Sequence, residues 1–200
     1  MSHNTWVHRG VRHLVRPLVA TPVTPNQITF CRLAGGLAAA GALSLGTDEG
    51  RFWGAILFCV SFVLDRADGE LARLSGKTSP IGHIFDLWSD TVCNALFFVG
   101  LGIGLRHGGP EWAIPMGIVA GASVALILWM VLRVESQVGR RGAEIRSVGG
   151  FDPDDGILLA PLALCLGWPE GLLWAAALVT PVFTLVFFWM FREPLRSRNA

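Results

Sequence analysis

The chain has 200 residues, 52% of them hydrophobic and only 16% charged, against about 25% charged residues in soluble domains. That balance excludes an ordinary soluble enzyme, while a formal net charge of +1 without basic-aromatic interleaving excludes a nucleic-acid partner. Cys31, Cys59, Cys93 and Cys165 lie in or beside apolar runs with no C-x-x-C pair, so neither a disulfide framework nor a zinc site is indicated, and residues 1–20 hold no apolar stretch of the secretory-signal kind.

At the N-terminal end, Trp6 to Leu18 sets Val7, Val11, Leu14, Val15 and Leu18 at helical spacing, with Arg9, Arg12, His13 and Arg16 largely opposite. The pattern predicts an amphipathic helix within residues 1–24, lying in the cytoplasmic headgroup region. Thr24-Pro25-Asn26-Gln27-Ile28-Thr29 then begins a new helix, with Thr24 as cap and Pro25 at an early position.

Apolar runs follow at about 28–47, 52–64, 92–105, 113–132, 157–168 and 171–191. Most reach or approach the roughly 17–25 residues that cross a bilayer as helix. The second and third become long enough once 65–74 and 80–91 are counted within the same helices, and that extension carries carboxylates to membrane depth. The expected fold is therefore all-α: one polytopic membrane domain over 1–200, with an N-terminal interfacial amphipathic helix and six transmembrane helices over 25–192. Glycines such as Gly35, Gly36, Gly41, Gly100, Gly102, Gly104, Gly117 and Gly121 would let these helices approach closely.

Arg9, Arg12, Arg16, Arg73, Lys77, Arg140, Arg141, Arg146, Arg192, Arg196 and Arg198 fall before span one, between spans two and three, between four and five, or after six. The alternate connections carry only Arg51 and Arg106 as strong bases. The positive-inside rule predicts cytoplasmic termini in a bacterial-type cytoplasmic membrane. The loop 136–156 is the longest polar connection and is expected at the cytoplasmic mouth.

Chemistry concentrates in Asp65-Arg66-Ala67-Asp68-Gly69-Glu70-Leu71-Ala72-Arg73 and Gly82-His83-Ile84-Phe85-Asp86-Leu87-Trp88-Ser89-Asp90. On helices, Asp65 and Asp68 share one face and Asp86 and Asp90 another, so two antiparallel helices joined at about 75–79 can gather four carboxylates. Uncompensated anions at membrane depth cost several kcal/mol each, roughly, so protons or cations must accompany them. Oxygen-only ligands favour a hard ion, Mg²⁺ first and Mn²⁺ or Ca²⁺ as alternatives; Mg²⁺ keeps open positions for phosphate oxygens. Gly69 and Gly82 leave room for a ligand, and Arg73 is placed to pair with a phosphate.

The pattern D-x-x-D-G-x-x-A-R-x₈-G-x-x-x-D-x-x-x-D resembles the signature of the CDP-alcohol phosphotransferase family at every specified position between 65 and 90. The six spans, the N-terminal helix and the Thr-Pro-Asn-x-Ile-Thr opening also look like that family. The resemblance implies that Asp65, Asp68 and Asp86 hold one or two metal ions. Asp90 is implied as a further ligand and as the base that activates the acceptor. Gly69, Ala72, Arg73, Ser79 and Gly82, with backbone around Asn26, Gln27, Ile28 and Thr29, would line the cytidine diphosphate site. A CDP-linked donor and an alcohol acceptor are then the substrates, CMP the leaving product, membrane lipids the surroundings, and a homodimer the assembly. Two other classes also place carboxylates in membranes: intramembrane prenyltransferases, which lack the Asp-Gly-x-x-Ala-Arg wording, and cation transporters.

Family members differ mainly in acceptor. Arg133, Glu135, Arg140 and Arg141 lie near the end of span four, and Asp152, Asp154 and Asp155 precede span five. Arg133, Arg140 and Asp155 are the candidate acceptor contacts. Members that use inositol phosphate look basic before span five; the acidic residues here favour a neutral or amine-bearing alcohol.

Overall fold

The computed structural model describes residues 6–139 and 153–196, with the side chains of 6–9, 153–155 and 196 left aside. The described residues form helices α1 (Trp6–Val15), α2 (Pro25–Ser44), α3 (Asp48–Ser75), α4 (Pro80–Gly104), α5 (Ala113–Val138), α6 (Leu159–Cys165), α7 (Pro169–Met190) and α8 (Arg192–Arg196). Short 3-10 turns, Arg16–Ala20 and Pro153–Leu158, precede α2 and α6. No strand occurs among the described residues. Arg140, Arg141 and Arg146 lie outside them.

Helix boundaries follow from local chemistry. At α2, Pro25 occupies the first turn and Gln27 Oε1 accepts from the Thr24 backbone N–H at 2.9 Å. Helix α3 starts where Thr47 Oγ1 accepts from Gly50 N, and stops at Gly76, whose φ of 67° is left-handed. Three residues later Ser79 Oγ accepts from Gly82 N and Pro80 begins α4. This short reversal returns the chain so that the end of α3 and the start of α4 lie at one end of the bundle.

The central helix is α2, which packs chiefly on α3 and α4, while α3 and α4 touch each other little. The sequence pattern implied a two-helix site; a third helix stands between the pair. Helix α5 packs on α4, α7 on α5, and α6 on α3. Close approach of α2 to α4 depends on small residues: a Cβ on Gly36 would collide with Cys93, and one on Gly100 would meet the Ala40 backbone. The core runs through Ala39, Leu43, Phe58, Phe97, Leu101 and Ala120, with Phe58 and Phe97 rings 4.2 Å apart.

Helices α4, α5 and α7 are long and apolar enough to cross a membrane. Their outward side chains include Leu126, Trp129, Leu178, Val182 and Leu185, an apolar exterior that suits lipid and defines an integral membrane protein. The expected run 157–168 is shorter than a span: α6 has seven residues and follows a 3-10 turn. Pro153, Gly156 and Pro161 explain the break, since proline lacks the amide donor and glycine favours non-helical backbone. Helix α1 also divides its apolar stripe. Val11 and Val15 are buried with Ile28, Ala67 and Leu71, whereas Leu14 is exposed.

Candidate active site

The inward face of α2 carries Ile28, Thr29, Arg32, Gly36 and Ala39, a helical stripe that turns from polar to small residues along its length. Where the stripe is polar it meets the aspartates of α3 and α4. One carboxylate oxygen from each of Asp65, Asp68 and Asp86 lies within 4.8 Å of the others. Asp68 is 3% exposed and accepts from Thr29 Oγ1 at 2.6 Å. Asp65 is 13% exposed and Asp86 36%, so the cluster is buried on the α3 side and open towards the α4 side.

At the centre stands Arg32, 2% exposed. Its Nη1 lies 3.0 Å from Asp65 Oδ1 and donates to Asp86 Oδ1 at 3.1 Å, while Nη2 donates to Asp90 Oδ1 at 2.6 Å. Asn94 Nδ2 donates to the same Asp90 oxygen at 3.0 Å. A second arginine, Arg66, bonds Asp65 Oδ2 at 3.0 Å and stacks over Phe62 at 4.7 Å. The four aspartates thus divide: Asp65, Asp68 and Asp86 converge, and Asp90 pairs with Arg32 and Asn94. Removing one partner of a buried pair costs about 3–5 kcal/mol, because the other charge is left uncompensated; Arg32–Asp65 approaches that case, whereas Asp90 is 48% exposed and its pair is worth less.

Sequence reasoning passed over Arg32, Arg66 and Glu70. The signal for Arg32 was present, because a lone guanidinium inside an apolar run must find anions. Thr29 faces Asp68 through its side chain, a contact that the sequence reading did not include.

The residues expected around a nucleotide gather beside the cluster. Asn26 Oδ1 and Ser79 Oγ both lie against Gly82, where a Cβ would sit 3.2 and 2.9 Å from them. A Cβ on Gly69 would lie 3.4 Å from Arg73 Nη1, so the guanidinium rests over that glycine. Arg73 is held by Glu70, 1% exposed, at 3.0 Å, and Glu70 also accepts from Arg12 Nε of α1 at 3.4 Å. Ala72 is part-buried between them on α3. The Gln27 side chain caps α2 and that of Ile28 packs against α1.

Arg133 lies part-buried in the last turns of α5, and Glu135 Oε2 lies 3.0 Å from His83 Nε2 of α4, accepting from it when that nitrogen carries the proton. Asp155 belongs to the turn Pro153–Leu158, and Arg140 lies outside the described residues. A separate cavity of about 310 Å³, lined by Arg51, Arg106 and Glu170 among others, sits at the opposite end of the bundle. Its arginines bond the carbonyls of Gly46, Ser44 and Ile103, so the chemistry belongs to the carboxylate end.

A helical membrane bundle with three convergent carboxylates that could hold a divalent cation defines the class: an integral membrane protein with its polar chemistry at one end. A family model described as CDP-alcohol phosphatidyltransferase matches residues 22–187, and the chain belongs to that family. It is 35% identical over 160 residues to a "Bifunctional IPC transferase and DIPP synthase" of Rubrobacter xylanophilus, covering 79% of this chain and 35% of the relative. Identity to a phosphatidylinositol phosphate synthase of Corynebacterium glutamicum is 27% over 151 residues, covering 76% of this chain and 64% of that protein. The chain therefore spans about a third of the first relative and less than two thirds of the second. In fold it is similar to a Mycobacterium tuberculosis phosphatidylinositol phosphate synthase, with a TM-score of 0.72 and 18% identity over 95% of this chain and 93% of that one. That protein has been solved in complex with manganese and citrate, and also with CDP-DAG bound.

Proposed function

We propose that the protein is a metal-dependent phosphotransferase that moves a substituted phosphoryl group from a CDP-linked donor to an alcohol, releasing CMP, in phospholipid biosynthesis. The observation that carries this is the convergence of Asp65, Asp68 and Asp86 beside Gly69, Arg73 and Gly82. Three hard oxygen donors fit Mg²⁺ or Mn²⁺, and a diphosphate brings the oxygens that complete either ion. When bound, the ion would neutralise the diphosphate and stabilise the departing CMP.

The chain's own groups supply the rest. Thr29 fixes the Asp68 carboxylate by its 2.6 Å bond, and Arg32 fixes Asp65 and Asp86. Arg73, steadied by Glu70, lies over Gly69 and would pair with phosphate. Gly69 and Gly82 leave the space in which the nucleotide lies, edged by Asn26, Ser79 and Ala72. Asp90, 48% exposed, is open to an acceptor and takes its hydroxyl proton.

The acceptor is a neutral or amine-bearing alcohol, because Asp152, Asp154 and Asp155 precede α6 in the sequence and Glu135 lies two residues from Arg133 near the end of α5. Helices α2, α3, α4, α5 and α7 are five of the six spans, and the fifth crossing in chain order is completed by the 3-10 turn Pro153–Leu158 together with the short α6; α1 lies at the cytoplasmic surface, and both termini and the site face the cytoplasm of a bacterial-type cell. A homodimer in the lipid is the proposed assembly.

The test is CMP release by the purified chain, with CDP-diacylglycerol and water-soluble CDP-alcohols as donors and a panel of alcohols and alcohol phosphates as acceptors, with and without Mg²⁺. Asp90→Asn is expected to lower kcat by about 10²–10⁴-fold, the usual contribution of a general base. Absence of metal-dependent CMP release from every donor would sink the reading. Turnover of prenyl diphosphate, or ion flux through reconstituted protein, would transfer it to the competing classes. Strong preference for inositol phosphate would overturn the acceptor assignment alone.

A further inference from the structure

We propose that the cavity at the end of the bundle opposite the carboxylates binds a phospholipid headgroup that carries both a phosphodiester and an ammonium group, Arg106 and Arg51 taking the phosphate and Glu170 the ammonium. The inference is independent of the proposed catalysis and needs only that the chain spans a membrane.

The cavity, about 310 Å³ in volume, lies where α2 and α4 end and α7 begins, and Arg51, Arg106, His107 and Glu170 carry its polar side chains. Tight backbone packing fixes its wall: Gly46, at a left-handed φ of 73°, lies against the Gly104 carbonyl, and Gly104 against that of Leu43, with no room for a Cβ at either. Arg51 Nη1 donates to the Gly46 carbonyl at 3.2 Å, and Arg106 Nη1 to those of Ser44 and Ile103 at 3.1 and 2.8 Å. These bonds to the ends of α2 and α4 hold both guanidiniums in place before any ligand arrives. Capping uses only part of the Arg106 fork: Nε donates to His107, Nη1 to the two carbonyls, and Nη2 has no partner among the described residues.

Charge selects the kind of ligand. Arg51 is paired with Asp48. His107 Nε2 accepts from Arg106 Nε at 3.0 Å, so that nitrogen carries no proton and the ring is uncharged. One cation, Arg106, and one anion, Glu170, then remain in the lining. A purely anionic ligand on Arg106 would face Glu170, and a purely cationic one on Glu170 would face Arg106. A phosphate and an ammonium joined in one headgroup answer both.

Position selects its source. Trp53, Trp112 and Trp168 are exposed near the starts of α3, α5 and α7, at this same end. Indole rings settle at the headgroup level of a bilayer, so the cavity opens among lipid headgroups. Arg51 and Arg106 are also the strong bases in connections where the positive-inside rule expects few, and a bound phosphate gives a reason for both.

The experiment is native mass spectrometry of the full chain in detergent, titrated separately with dioleoylphosphatidylethanolamine, with dioleoylphosphatidylglycerol and with soluble O-phosphoethanolamine. Wild type is expected to bind the ethanolamine lipid about fivefold or more tighter than the glycerol lipid. Arg106→Gln should weaken the ethanolamine lipid by about tenfold or more, the loss of a charge-assisted phosphate contact. Glu170→Gln should abolish the preference, weakening the ethanolamine lipid while leaving the glycerol lipid unchanged or tighter. Glu111→Gln, which removes a carboxylate outside the cavity lining, should alter neither affinity. Equal affinities of wild type for the two lipids, an unchanged preference in Glu170→Gln, or full binding by folded Arg106→Gln overturns the proposal. Should Arg106→Gln fail to fold for want of its caps, wild type and Glu170→Gln decide, because Glu170 is exposed and the change is isosteric. Binding of O-phosphoethanolamine as tight as that of the lipid would overturn the lipid as occupant.

Discussion

Thr29 and Asp68 illustrate how single residues prepare the site. Their 2.6 Å bond orients the most buried carboxylate of the cluster from a different helix. Partners of metal ligands commonly contribute about 10–100-fold to affinity. Thr29→Val should weaken Mn²⁺ binding by that factor, about 10–100-fold, while Thr29→Ser keeps the hydroxyl and should restore it to near the wild-type value; equilibrium titration checks both. Glu70 acts one step further out, joining Arg12 of α1 to Arg73. Arg12 is 42% exposed, and such partly solvated pairs contribute at most about 1 kcal/mol. Arg12→Ala should therefore raise the donor KM roughly two- to fivefold with kcat unchanged, a split that steady-state kinetics would read. At this scale the aspartates were legible because their spacing is local. Arg32 and Glu70 were less legible: a guanidinium in an apolar run must find anions, but the anions of Arg32 lie 33 to 58 positions away and Arg12 lies 58 positions from Glu70.

Among the helices, the seam between α2 and α4 controls the site, because Arg32 on one must reach Asp86 and Asp90 on the other. Gly100 sits on that seam against the Ala40 backbone, whereas Gly41 on α2 has nothing within 4 Å of a built Cβ. Gly100→Ala should force the helices apart, destabilising by about 1–3 kcal/mol and lowering CMP release. Gly41→Ala should be neutral or stabilising by up to about 1 kcal/mol, through helix propensity alone. Thermal unfolding in detergent compares the two, and equal effects would contradict the seam. The sequence made the starts of α2 and α4 readable through Thr24-Pro25 and Ser79-Pro80, since caps are local chemistry. The shortness of α6 was harder to read, because apolar content over 157–168 counts residues without weighing what Pro153, Gly156 and Pro161 do to the backbone.

For the molecule as a whole, the metal is expected to contribute to stability as well as to chemistry, since its ligands come from both α3 and α4, with α2 between them. A cation that binds only the folded state at a hundred times its Kd adds about 2.7 kcal/mol. For a chain of this size that corresponds to about 5–10 °C in Tm. Chelation should lower Tm by this amount, and Mn²⁺ should restore it; in Asp68→Asn the Mn²⁺ response should largely vanish. An unchanged Tm would mean that the cluster holds no ion under those conditions.

Composition, hydropathy and the 65–90 pattern were enough to define an all-helical membrane protein of this family with a cluster of carboxylates on two of its helices. Those properties are local or additive: burial in lipid follows from apolar content, and a helix face follows from spacings of three and four. The tertiary structure alone decided that α2 lies between α3 and α4, that Arg32 joins Asp65, Asp86 and Asp90, and that α1 reaches Arg73 through Glu70. Each of these is a contact between distant segments, set by which small residues let which helices approach, and no local pattern encodes it.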